Sequence, residues 1–268
     1  MKLVPQLPTI ASSTIEQFIR AHVEQAQALG ALVAMSGGVD SSVVVALGRR
    51  ALGADRVAGL LLPDGIQSRE LTEETLAFAA QLGVSTRTIA IDGVEKAVRT
   101  AMPELQDRVA IGNVKARIRM LLLYAQAWGE RRIVLGTGNK SELLLGYFTK
   151  YGDGAADLLP LGDLYKTEVW ELAEVLDIPP AIRKRPPTAG FWEGQTDEAE
   201  LGLPYRDLDR ILFGYEQLRS EEEIAQQTGM PLATVQQVLH RVTANRHKRR
   251  LPPIPKIGLR TIGVDWRD

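Results

Sequence analysis

Cysteine is absent from the 268 residues, which excludes a disulfide, a thiolate zinc site and a cysteine nucleophile in this chain. An excess of either charge is missing too: 32 Lys and Arg stand against 33 Asp and Glu, a formal net charge of −1. No overall basic field draws in nucleic acid or an anionic membrane, so any phosphate site has to be built locally. No stretch approaches the roughly 18 consecutive apolar residues of a membrane span. The opening MKLVPQLPTIASSTIEQFIRAHVEQ also lacks the cationic and apolar regions of a secretory signal, and a cytoplasmic protein with no membrane contact is the expectation. Internal repeats and low-complexity tracts are missing as well. The length leaves room for one large domain or two small ones. The motifs below favour a single domain over 1–268, helical from about 196 and ending in a basic tail, 241–268.

What is present alternates. A helix over Thr14–Ala28, expected to pack on the sheet that follows, precedes a short apolar run, Ala31–Met35, which reads as a strand. A glycine turn and a buried helix, Ser41–Leu52, come next. The pattern repeats as strand Val57–Leu62, the Pro63-Asp64-Gly65 turn and helix Leu71–Leu82, then strand Thr86–Ile91, helix Gly112–Trp128 and strand Arg132–Leu135. Such alternation predicts an α/β fold, a doubly wound and mainly parallel sheet with helices on both faces, whose ligands sit beyond the carboxyl ends of the strands. Loops follow Gly152; helix Lys166–Leu176, a proline-rich break at Pro179–Pro187 and a helical stretch to about Asn245 complete the chain.

Glycines at the first strand-to-helix turn let backbone N–H groups approach a phosphate, and the helix N-terminus adds about half a positive charge. Ser36-Gly37-Gly38-Val39-Asp40-Ser41-Ser42 is such a turn. Glycine-rich turns also serve as plain connections, and no Gly-Lys-Ser/Thr follows, so this is not a Walker A loop. It resembles the pyrophosphate loop of the N-type ATP pyrophosphatases, which cleave ATP between the α and β phosphates. The resemblance implies an ATP site over Ala34, Met35, Ser36, Gly37, Gly38, Val39, Asp40, Ser41 and Ser42. The serines and amides would hold the β and γ phosphates, and Asp40 would offer Mg2+ a hard carboxylate oxygen.

That loop is shared by GMP, argininosuccinate and asparagine synthetases and by tRNA-modifying enzymes. Later blocks resemble the ammonia-dependent NAD synthetases: Asn113 to Met120, Leu135-Gly136-Thr137 with Glu142, Gly146 to Pro160, and Thr196 to Gly202. The likeness runs from about Glu16 to Pro253. It implies an adenine nucleotide α-hydrolase-like fold and the ATP-dependent amidation of nicotinic acid adenine dinucleotide (deamido-NAD) to NAD. Ammonia is the nitrogen source, an acyl-adenylate the intermediate, and AMP and pyrophosphate the by-products; a homodimer with the dinucleotide near the interface is also implied.

Carried over residue by residue, the likeness makes Asp40 and Glu142 the metal ligands, and Thr137, Lys166 and Thr188 further ATP contacts. Arg117, Lys150, Asp157, His247 and Lys248 are implied around deamido-NAD. Taken alone, Glu142 reads equally as a first-turn glutamate favoured by the helix dipole, and the two threonines as caps or turn formers. On the same footing Arg117 reads as a surface arginine and Arg246 to Arg250 as a solvated basic run. Lys150 stands among Tyr147, Phe148 and Tyr151 in a glycine-flanked loop that suits a cover over a ring and a charge. Lys166 opens a helix, where a lysine opposes the dipole unless an anion is present. Asp40, Lys166 and Asp153 are the catalytic candidates; Asp153 could orient or deprotonate ammonia, though its Gly-Asp-Gly setting also suits a turn. One departure stands out: Gly138-Asn139-Lys140-Ser141 replaces the Asp-His-Ala-Ala that many bacterial members carry after Gly-Thr.

Glutamine-dependent relatives add an amidohydrolase domain with a catalytic cysteine, so this chain is expected to take free ammonia or to receive it from a separate protein. Two rival readings stay open. One is another ligase sharing the loop, GMP synthetase first. The other is a nucleic-acid binder, because Glu223 to Pro231 followed by Thr234 to Leu239 reads as helix, tight turn, helix.

Overall fold

The computed structural model describes residues 3–262 and 265. Four strands, β1 (Gly30–Ala34), β2 (Val57–Leu61), β3 (Ser85–Thr88) and β4 (Arg132–Leu135), form one parallel sheet in the order β3-β2-β1-β4. Alternate side chains leave opposite faces of a strand. Ala31, Val33, Val57, Leu61 and Leu135 accordingly join one apolar cluster with α2 (Val39–Leu52) and α7 (Lys166–Val175), while Leu32, Ala58, Leu60 and Val134 join a second with α4 (Asp92–Ala101) and α5 (Arg108–Glu130). Helices on both faces make the doubly wound α/β sandwich that the alternation predicted.

The helix α2 is apolar nearly all round, with Val43, Val44, Val45 and Leu47 fully buried, so it can pack on the sheet and on other helices at once. This corrects the expectation for the first helix. The helix α1 (Ala11–Gln25) packs chiefly on the outer side of α2 and reaches the sheet only through the shared cluster, burying Ile15, Ile19 and Val23.

Boundaries shift where polar sequence hides structure. The regular part of β3 is Ser85–Thr88, four exposed residues at the sheet edge; its ladder runs on irregularly as Ile89 N–H and Ile91 N–H bond to Leu61 and Pro63 carbonyls. The helix α4 is polar in composition but amphipathic, and its Val94 and Val98 pack against the second cluster. On the other edge, Leu158 bridges Leu135 in parallel and covers β4.

The carboxyl-terminal part is helical, as expected, in α9 (Asp197–Leu201), α10 (Tyr205–Glu216), α11 (Glu221–Thr228) and α12 (Leu232–Ala244), and the structure adds two short helices that were not expected, α6 (Lys140–Leu145) and α8 (Pro180–Arg183) inside the proline-rich break. Tyr165, Tyr205, Leu208, Ile211 and Leu212 pack with Ile224, Val235 and Val238 in a third core. The apolar face of the α11–α12 pair is thus spent on α10, and α11 opens with Glu221, Glu222 and Glu223, a poor face for nucleic acid. The basic tail does not begin at 241 as a separate segment: 241–244 are the last residues of α12 and Asn245–Arg249 form a 3-10 turn. Residues 263, 264 and 266–268 of the expected tail lie outside the described residues. Among the described residues no helix is long and apolar enough to cross a membrane.

Candidate active site

β1 is flanked by β2 on one side and β4 on the other, so connections leave it in opposite directions and a crevice opens beyond the carboxyl ends of β1 and β4. The Ser36 to Ser42 loop fills one wall. Gly37 adopts φ +82°, and a Cβ there would meet Leu71 Cδ1 and Thr75 Oγ1 of α3 (Arg69–Gln81) at 2.6 Å, so only glycine fits. Ser41 and Ser42 hydroxyls donate to the Gly38 carbonyl at 3.1 and 2.9 Å. Gly38, at the N-cap of α2, supplies no capping side chain, which leaves the first N–H groups of the helix for an anion.

From the far wall α6 delivers Glu142 and α7 delivers Lys166, and both converge on Asp40 in the first turn of α2. The Lys166 ammonium, 2% exposed, bonds to Asp40 Oδ2 and lies 3.7 Å from Glu142 Oε1. Burial by itself would lower the Lys166 pKa; the charges of Asp40 and Glu142 and the bond to Asp40 raise it instead. Burial likewise pushes the Glu142 carboxyl up and Asp40 adds to this, while Lys166 pulls it down. Asn139, fully buried, ties the walls together: its side-chain oxygen accepts Glu142 N–H at 3.0 Å, and its amide donates to Asp40 Oδ1 at 3.1 Å. Asn139-x-x-Glu142 is a capping box, a spacing legible in the sequence but not recognised there. Asp197, also unread as a site residue, is 5% exposed and lies behind Lys166, bonded by the Tyr147 and Tyr205 hydroxyls at 3.1 and 3.3 Å.

Two hard carboxylate oxygens bracketing one cation fit a Mg2+ ion, and among the described residues no group of three or more His, Asp or Glu offers a richer cage. Thr137, Glu142 and Asp153 come together on a cavity of about 40 Å³, lined also by Gly138, Leu143, Phe148 and Leu159. Asp153 accepts Thr149 N–H at 2.9 Å.

The implied dinucleotide residues divide. Arg117 donates to the Lys150 carbonyl at 3.2 Å, Lys150 Nζ to the His247 carbonyl at 2.9 Å, and Lys248 Nζ to the Gly146 and Phe148 carbonyls at 2.7 and 3.0 Å. The turn after α12 therefore does fold over the 146–151 loop. Asp157 stands apart, its carboxylate accepting Val134 N–H at 2.7 Å and the Tyr124 hydroxyl at 3.1 Å. Thr188 is exposed and bonds within its own turn to Gly190 N–H at 3.1 Å. Its segment reaches the phosphate loop through Arg185, unread in the sequence, which bonds the Gly37 carbonyl and Glu74. Phe191 pins the same segment to Gly112 on α5, where a Cβ would lie 2.7 Å from its ring.

Residues 11–252 match the model of a family described as NAD synthase. The chain belongs to the NAD synthase family. Similar members include an NH3-dependent NAD+ synthetase of Methanosarcina acetivorans, 44% identical over 92% of this chain and 98% of that one, and one of Methanocaldococcus jannaschii, 45% identical over 91% and 95%. Among solved structures, an NH3-dependent NAD synthetase of Campylobacter jejuni is 31% identical with a TM-score of 0.78, over 92% of this chain and 97% of that chain. An NMN synthetase of Francisella tularensis, also 31% identical, gives 0.83 over 94% and 100%. In the NAD synthase frame, the Lys166 cluster occupies the crevice at the strand-order reversal where an α/β sheet binds its ligand.

Exchange of Lys166 for methionine leaves Asp40 and Glu142 facing each other without a cation. The Glu142 carboxyl, which burial and Asp40 already push up, then loses the charge that pulls it down, so the folded state holds its proton more tightly than the unfolded chain does and gains stability as pH falls. We expect Lys166→Met to lose up to about 3 kcal/mol at pH 8 in urea unfolding and to close much of that gap by pH 5. A deficit independent of pH would show that Lys166 does not compensate the pair.

Proposed function

We propose that this NAD synthase family member is the ammonia-dependent ligase that amidates deamido-NAD to NAD at the expense of ATP. The observation that carries this reading is the convergence of an uncapped helix N-terminus, Lys166 and two carboxylates on one crevice, in a chain matching NH3-dependent NAD+ synthetases over nine-tenths of its length. A carboxylate is a poor acyl donor because oxide would have to leave, and adenylation supplies AMP as the better leaving group. A nicotinate carboxylate oxygen forms a bond to the α-phosphorus as the α–β bridge breaks, and pyrophosphate departs into the Ser36 to Ser42 loop. Ammonia nitrogen then bonds to the acyl carbon, AMP leaves, and one proton is released. Lys166 and the loop amides stabilise charge that grows on the departing phosphates, and positioning supplies the rest. Asp40 and Glu142 would hold Mg2+, which would neutralise triphosphate charge and polarise its oxygens. The cavity at Thr137, Glu142 and Asp153 has room for one ammonia or water. Arg117, Lys150, His247 and Lys248 form the dinucleotide side. Thr188 is assigned to the ATP site, and Asp157 to the dinucleotide side through the Val134 backbone it holds.

We also propose a homodimer. The outer face of α5 carries Leu121 at 58% exposure and Trp128 at 88%, two turns apart on a stripe that continues to Arg117. Sedimentation should give twice the chain mass, and Trp128→Glu should shift it to the monomer; a monomeric wild type at micromolar concentration would reject the dimer.

Asp40→Asn and Glu142→Gln should each raise the Mg2+ requirement and cut turnover on the order of 10²-fold. A variant with near-normal turnover at low Mg2+ would remove that residue from the ligand set.

With ATP, ammonium and deamido-NAD, mass spectrometry should find one AMP and one pyrophosphate for each NAD formed. ADP and phosphate would end the adenylation mechanism. Nicotinic acid mononucleotide, supplied in parallel, tests the substrate that the Francisella neighbour's name suggests, and preference for it would move the assignment to NMN. Glutamine should not replace ammonium. Below saturation the rate at fixed total ammonium should climb about tenfold per pH unit below the ammonium pKa, because only NH3 has a free lone pair. A flat profile abolished in Asp153→Asn would instead make Asp153 the base.

A further inference from the structure

Asp209 lies on α10, far in sequence from Asp40, Glu142 and Lys166, and is fully buried without a cationic partner among its hydrogen bonds. Its carboxylate accepts three: from the Ser141 hydroxyl at 2.5 Å, from Thr167 N–H at 2.8 Å and from the Thr167 hydroxyl at 2.8 Å. Ser141 has one hydroxyl proton and gives it to Asp209, so a lone pair is turned toward α7, where it accepts Lys166 N–H at 2.9 Å. The first two N–H groups of α7 are thus satisfied by side chains of α6 and α10, and a negative charge sits where the α7 dipole favours one.

The chain placed in this way is short. Ser141 is the neighbour of Glu142 on α6, and Thr167 is the neighbour of Lys166 on α7. An isolated buried carboxylate costs several kcal/mol unless it is well bonded, and this one spends its bonds on joining those two helix starts. We propose that Asp209 and Ser141 are positioning residues for the amidation reaction, fixing the backbone of Lys166 against that of Glu142 so that ammonium and carboxylate meet over Asp40. The proposal rests on the roles given above to Glu142 and Lys166. Displacements of about 1 Å at reacting groups can cost on the order of 10²-fold in rate, which sets the scale of the effect.

The decisive comparison uses the full chain carrying Ser141→Ala, Asp209→Asn, both together, and Glu142→Gln as reference. Each variant is first checked for native circular dichroism at the assay temperature, and kcat is then separated from KM for ATP, deamido-NAD and ammonium. Ser141→Ala should lower kcat about tenfold and Asp209→Asn about a hundredfold, with KM for deamido-NAD and ammonium within twofold of wild type. The double variant should be no slower than Asp209→Asn alone, because both changes cut one linkage. A purely structural role would lower active fraction without this split, or raise every KM together, and either outcome overturns the proposal. So does a wild-type kcat in Ser141→Ala, which decides the matter alone if Asp209→Asn does not fold. Should Glu142→Gln remain active, the assignment of the site fails; should Glu142→Gln be inactive while Ser141→Ala is normal, only the positioning role fails.

Discussion

The Lys166 ammonium is held between Asp40 and Glu142, and the arrangement of this half of the molecule follows from that contact. Three elements distant in sequence have to bring their first turns to one point: α2 after β1, α6 after β4, and α7 after the Gly162 to Tyr165 turn. A like-charged pair of carboxylates in a half-buried crevice repels, and a buried lysine is costly to keep charged. Each defect cures the other. The parallel sheet sets two of the three starting points, and the third core, built on Tyr165, Tyr205, Leu208 and Ile211, carries α7 and α10 to where Lys166 is needed.

Behind the charges lies a layer of polar side chains that touches no substrate in the proposed reaction. Tyr147 and Tyr205 hold Asp197, Asn139 holds Asp40 and starts α6, and Asp209 holds the start of α7. The helical half is therefore more than a lid or an appendage. Tyr205 belongs to both, its ring in the apolar core and its hydroxyl on Asp197, so the core and the polar layer fix α10 together.

The sheet and the glycine turn could be read from sequence because they rest on local rules, apolar runs of strand length and glycines at a βα turn; Asp40, Glu142 and Lys166 are named by family likeness, and the structure brings the three together. That reading passed over α4, a polar helix whose apolar residues, Val94, Ala97, Val98 and Ala101, share one face. Buried acids such as Asp209 are invisible in a helix reading Tyr-Arg-Asp-Leu-Asp-Arg, where every polar residue suits solvent, and only the partners 68 residues away on α6 and 42 away on α7 distinguish Asp209. Arg185 escapes for the same reason, since its phosphate-loop contact spans 148 residues. Thr188 and Asp157 are named by family likeness alone, and here their side chains bond a local turn and a neighbouring backbone. The Gly138 to Ser141 stretch, a departure on paper, turns out to be fully employed, with Lys140 paired to Asp163 and Glu216 at 3.0 and 2.9 Å beside the Asn139 and Ser141 contacts.

Asn139 limits how this crevice can drift over generations. Its amide needs an acceptor on one side and a donor on the other: Asp40 takes the NH2 and Glu142 N–H gives to the oxygen. Aspartate would keep the helix start but set a second negative charge against Asp40; serine would keep it too but is too short to reach across; leucine would strand both partners. A replacement at position 139 therefore has to carry an acceptor for Glu142 N–H and a donor for Asp40 at once, which narrows the choice to side chains with both functions.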